Sequence, residues 1–199
     1  MASATDPYQP LERQYRLSRR CLEVLLLCPT TEVIVHTRSP LVIQDLDLLK
    51  AFGDRLSVGL SIPTDDDTVR QAVEPDAPPI PSRWAAAERL AAAGIQVTIG
   101  VAPLMAVHDA KAFSRRAKAS GASNAWVGGL RLLKQDPFYK LLADHGWLKV
   151  LDPDYAATIR AAFQEVFPTR KGRREPRPEA SQALPPVPPV QPGLFDRVG

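Results

Sequence analysis

The chain has 199 residues, 45% of them apolar, which is enough for one domain with its own core. The net charge of +3 belongs to one end. Thr169 to the C-terminus holds six Lys or Arg against three Asp or Glu, and the other 168 residues carry 19 of each sign, so the basic balance gives no warrant for a nucleic-acid-binding body. Two cysteines exclude a disulfide framework, no run reaches the ~18 apolar residues of a membrane span, and the first ten residues hold no apolar signal core, so a soluble cytoplasmic protein is expected.

Met1 to Pro10 is polar, with no strand ahead of the first helix. Leu11 to Leu27 has helical periodicity, with Tyr15, Leu17, Cys21, Leu22, Leu25 and Cys28 near one face and Glu12, Arg13, Arg16, Arg19 and Arg20 largely opposite. On that reading both cysteines are small core residues. Glu32 to Thr37 is a β-branched run, a buried strand, and Ser39-Pro40 breaks it. Leu41 to Phe52 reads as a helix closed by Gly53.

From Leu56 to Ile62 apolar residues alternate with Ser57, Gly59 and Ser61, the period of a strand. Pro63, three aspartates at 65 to 67 and a short segment ending in Glu74-Pro75 follow. Small polar residues on one strand face, leading into an acidic loop, suit a site at the carboxyl edge of an α/β sheet. The run Asp76 to Pro81 reads as a stiff non-helical loop, with Ser82 capping a helix from Arg83 to Ala93. Gln96 to Val101 is the next strand, Asp109 starts a helix to Ser120, and Asn124 to Gly128 is a short strand. Two helices follow, Asp136-Pro137 to His145 and Asp152-Pro153 to Phe167, each with an acidic cap before Pro.

This alternation predicts an α/β fold with right-handed crossovers and a parallel sheet of four strands, too few to close a barrel and too apolar for one wet face. From Thr169 the chain turns proline-rich and basic, the composition of a disordered or polyproline II tail, and Leu184 to Pro189 suits an aromatic groove.

Four segments, in this order, carry a family resemblance: TDPYQPLERQYRLSRRCLEVL from Thr5, VIVHTRSPLVIQDLDLL from Val33, VGLSIPTDDDTVRQAVEP from Val58 and AGIQVTIGVAPL from Ala93. Together they resemble the radical S-adenosylmethionine proteins related to spore photoproduct lyase, over roughly Thr5 to Phe167. The resemblance implies a partial, open (βα) barrel, a [4Fe–4S] cluster held by three cysteines in C-x3-C-x2-C, and S-adenosylmethionine cleaved reductively to start hydrogen abstraction from a substrate. The three-cysteine motif is absent from this chain. Cys21 and Cys28, about 10 Å apart along a predicted helix, cannot replace it. The expectation is a truncated barrel, inactive alone, that either pairs with a separate N-terminal fragment or remains a non-catalytic scaffold. A nucleic-acid partner is implied by family analogy only.

By the same resemblance Thr5 and Asp6 lie near the methionine end of the cofactor, although Asp6-Pro7 is equally turn chemistry. Arg38 stands where relatives usually carry Lys, to pair with a carboxylate, with a surface ion pair as the competing reading. Ser61 matches a position near the cofactor's ribose or carboxylate, or simply bonds to backbone. Glu74 matches a Glu-Pro pair. Asp65 to Asp67 read as solvated rather than metal-binding. The three histidines have no zinc spacing. Tyr8 and Tyr15 suit either radical relay or packing.

Overall fold

The structure is a computed structural model that describes residues 5–168. The expected proline-rich tail from Thr169 lies outside the described residues.

The first predicted helix is two helices. α1 (Glu12–Tyr15) ends at Arg16, which has φ 53°, and α2 (Leu17–Leu26) starts there. Arg at a left-handed φ is strained by roughly 1 kcal/mol. The surroundings hold it. The Glu12 carboxylate accepts from the Ser18 amide at 2.9 Å, the Ser18 hydroxyl donates to the Pro7 carbonyl, and Arg16 reaches buried Asp45 at 2.9 Å. This break rotates the apolar residues away from their expected places. Ser18 and Leu22 face the core, whereas Tyr15 and Leu17 are half-exposed and both cysteines are exposed. The assignment of Cys21 and Cys28 to the core is therefore wrong.

β1 (Val33–Thr37) leads through a 3-10 turn (Pro40–Asp45) into α3 (Leu46–Ala51), so only the second half of the predicted helix is α-helical. Ser39 caps the turn by accepting from the Leu41 amide. β2 (Leu56–Ser61) is followed by α4 (Asp67–Val73), capped by Asp66. α5 (Ile80–Ala92) begins earlier than the sequence suggested, with Pro81 inside its first turn. Proline is tolerated there because that turn has no intrahelical use for its N–H. Ser82 does not cap; its hydroxyl donates to the Pro79 carbonyl. β3 (Gln96–Val101), α6 (Ala110–Ala119), β4 (Asn124–Val127), α7 (Pro137–Asp144) and α8 (Pro153–Val166) follow as expected.

The four strands are parallel in the order β1-β2-β3-β4, one open sheet. In register, Val35, Val58 and Val97 form one row, and Thr37, Leu60, Ile99 and Ala125 the next. These rows face the helices and join Leu90, Phe113 and Phe163 in the main core. The opposite face does not match the expectation of a sheet covered on both sides. Ile34 and Trp126 on it are 50% and 47% exposed, and Ser57, Ser61 and Thr98 are partly so. His36 leans across Gly59, where a Cβ would overlap its ring. Trp126 lies across Gly100, 3.3 Å from where a Cβ would stand.

A second apolar cluster lies beyond the carboxyl end of the strands, where Val69 of α4, Met105, Leu142 of α7 and Val150 pack together. Among the described residues no helix is long and apolar enough to cross a membrane.

Candidate functional site

The loop from Glu74 to Pro79 makes few backbone bonds of its own, the Glu74 amide donating to the Arg70 carbonyl and the Ala77 amide to that of Glu74, and two buried arginines bind most of its carbonyls. Arg70 of α4 donates from one nitrogen to the carbonyl of Ala77 at 2.9 Å and, more weakly, to those of Glu74 and Pro75, while its other nitrogens hold Asp67. Arg83 of α5, fully buried, donates to the carbonyls of Pro78 (2.8 Å) and Ser61 (3.0 Å) and to the Glu74 carboxylate (2.6 Å). A buried guanidinium is tolerable only when its donors are filled in this way. Burial pulls the Arg83 guanidinium below the ordinary arginine value, and Glu74 opposes that shift.

Glu74 is thereby fixed at the carboxyl end of β2. Its second oxygen accepts from Arg38 at 2.6 Å, and Arg38 follows directly on β1. Asp6 completes the group. One oxygen accepts from the Thr37 hydroxyl (2.6 Å) and the Tyr8 amide (2.8 Å), and the other from the Arg38 amide (2.8 Å). Asp6, Arg38 and Glu74 line one cleft of about 560 Å3, whose other walls include Arg13 and the prolines at 10, 40, 75, 78 and 79. The Arg38 side chain is 44% exposed and faces solvent as the accessible cation of the group. Three of the five expected site residues therefore meet. Thr5 is exposed and does not line the cleft. Ser61 bonds through its hydroxyl to the Ala102 carbonyl at 3.2 Å, and only its own carbonyl, through Arg83, connects it to Glu74.

The aspartate run is structural rather than merely solvated. Asp65 accepts from the amides of His108 and Asp109, Asp66 caps α4, and Asp67 accepts from Arg70 and from the Ile80 amide. The Arg70 guanidinium holds the Asp67 carboxyl below its usual range. Tyr8 is fully buried against Asp45, and burial, then that carboxylate, raises its phenol far above the ordinary value. Tyr15 is half-exposed on α1. Among the described residues no group of three His, Cys, Asp or Glu is placed to hold a metal ion.

Sequence reasoning missed Arg83 and Arg70. Arg83 carried a signal, since it shares the apolar stripe of Ala86, Ala87 and Leu90, where a cation needs a buried partner.

No family model matches the chain. Two curated proteins are similar over half of it. One is an uncharacterised protein, ORF301, of Acidianus two-tailed virus, 36% identical over 104 residues that make up 52% of this chain and 34% of that protein. The other is the uncharacterised protein MJ0683 of Methanocaldococcus jannaschii, 30% identical over 105 residues, 53% of this chain and 39% of its own length. The chain thus spans well under half the length of the curated relatives it matches. Among solved structures it is similar to a doubly substituted spore photoproduct lyase with bound AdoMet and dinucleoside spore photoproduct. The TM-score is 0.57 at 16% identity, covering 84% of this chain and 58% of that one. What this likeness establishes is the fold: an open, four-stranded parallel α/β sheet similar to part of a radical S-adenosylmethionine barrel.

Proposed function

We propose that this chain is the part of a radical S-adenosylmethionine protein related to spore photoproduct lyase that grips the amino-acid end of S-adenosylmethionine. The observation that carries the reading is the convergence of Asp6, Arg38 and Glu74 on one cleft at the carboxyl end of the sheet. A zwitterion needs a cation and an anion side by side, and that pair is present. On binding, the ligand carboxylate takes the place of Glu74 on Arg38, and Glu74 keeps its bond to Arg83. Asp6 and Glu74 then face the ligand ammonium.

The cluster ligands do not fit this chain. It has two cysteines, both exposed. Cys28 lies at the amino end of the sheet, where Arg55 holds its carbonyl, and Arg38 lies at the other end of β1. The chain alone therefore does no radical chemistry and acts as a scaffold that contributes a cofactor half-site. The three thiolates that a cluster needs are not supplied by these 199 residues. A nucleic-acid substrate rests on analogy with the lyase alone.

Calorimetric titration of the chain with S-adenosylmethionine tests the half-site. Binding that falls at least about tenfold in Arg38→Ala, the loss of one charge-assisted bond, is expected. No binding to the wild-type chain sinks the reading. Anaerobic iron–sulfide reconstitution tests the rest: no cluster in the chain alone is expected, and about four irons per chain would overturn the scaffold role.

A further inference from the structure

The cleft that holds Asp6, Arg38 and Glu74 has a second cation. Arg13 of α1 lines it and is exposed. Three carboxylates line the same cleft, and none of them holds Arg13. Asp6 is taken by the Thr37 hydroxyl and two amides, Glu74 by Arg38 and Arg83, and Asp76 stands unpaired. Among the described residues the Arg13 side chain makes no hydrogen bond and no ion pair. The prolines of the walls carry no N–H, so an anion entering the cleft finds its donors chiefly on the two guanidiniums.

The break at Arg16 separates this arginine from its neighbours. In an unbroken helix Arg13, Arg16 and Arg20 would share one face, at steps of three and four. Instead Arg16 turns at φ 53° and reaches buried Asp45. Arg16, Arg19 and Arg20 then line another cleft with Gln44 and Asp47, and of these four arginines Arg13 alone opens on the cleft of Glu74. Strained backbone of this kind clusters beside ligand sites, where the surrounding structure over-determines it.

We propose that Arg13 is a second contact for the ligand's carboxylate, which is bridged between α1 and the end of β1. A carboxylate has about four lone-pair positions and one guanidinium fork takes two of them, so a second fork has a place. Arg38 gives up Glu74 to make its contact, whereas Arg13 gives up nothing. The inference rests on the cofactor reading above and adds a selectivity to it. The cleft discriminates against a ligand that keeps the sulfonium and the amine but lacks the carboxylate.

Nuclear magnetic resonance titration of the full chain with S-adenosylmethionine, and with its decarboxylated form, tests this. The wild type is expected to favour S-adenosylmethionine. Arg13→Ala should bind it about tenfold more weakly, the loss of one charge-assisted contact, and should bind the decarboxylated form as the wild type does. Thermal unfolding of Arg13→Ala should match the wild type, because the side chain is exposed and unpaired. An Arg13→Ala chain that binds S-adenosylmethionine as tightly as the wild type overturns this inference and leaves the half-site reading standing. Equal weakening toward both ligands also overturns it, since Arg13 then acts on the cleft and not on the carboxylate. A wild-type chain that binds neither ligand sinks the half-site reading, and this inference with it.

Discussion

Arg83 and Arg38 share Glu74, yet they do different work. Arg83 is fully buried and its partners are backbone carbonyls and one carboxylate, so removing it leaves Glu74 without its buried partner. Arg83→Met is expected to cost about 3 kcal/mol in urea unfolding. Arg38→Ala, at an exposed end of the same pair, should cost less than about 1 kcal/mol while weakening ligand binding at least about tenfold. A similar loss of stability in both would show that the two arginines are equivalent. Asp47 sets a pH limit. Arg19 holds its carboxyl at about 2, below the ordinary 3.8. Its contribution is present above the ordinary value and lost as pH falls toward 2. Asp47→Asn should lower the melting temperature by about 1–2 °C at pH 7, since the pair is exposed, and by progressively less as pH falls through that value. Asp6, Arg38 and Glu74 were legible because a family resemblance placed them. Arg83 was not, because an alanine-rich stretch hides one cation on the apolar side of a helix.

Among the elements, the strands and the last three helices were legible because period and caps agree there: Asp109, Asp136 and Asp152 each accept from the first-turn amides of the helix they precede. The break at Arg16 was not legible. Nothing in Tyr15-Arg16-Leu17 announces a turn, and the bonds that fix it reach to Pro7 and Asp45. Periodicity alone continues a helix through such a point. Glu12 stands in for the cap that α2 lacks, so Glu12→Ala is expected to cost about 1 kcal/mol in thermal unfolding. An unchanged melting curve would mean that packing, not the cap, sets the start of α2. The roles of α4 and the first turn of α5 were likewise hidden, because both depend on Asp67 and on arginines from outside the loop.

For the molecule as a whole, the parallel sheet was legible and its bare face was not. Parallel sheets are covered on both faces in most proteins, and the apolar strands suggested the same here. The exposed Trp126 and the partly exposed serines show that the second face is shaped by glycines and small polar residues instead. The loop that bears the three aspartates has a consequence at this scale. Asp65 holds the amides of His108 and Asp109 ahead of α6, Asp67 holds that of Ile80 at the start of α5, and both carboxylates sit within a few residues of Pro63, whose carbonyl accepts from Met105. The loops that follow β2 and β3 and the connection from α4 to α5 are thus tied to one knot. Amide hydrogen exchange should find Ile80, His108 and Asp109 opening together, at a single free energy. Asp65→Ala is expected to speed exchange at Ile80 as well as at its own two partners, and an unaltered Ile80 rate would show three independent loops. If they open as one, the mouth of the sheet breathes as a unit, and a molecule seated against Glu74 slows exchange as far away as the start of α6.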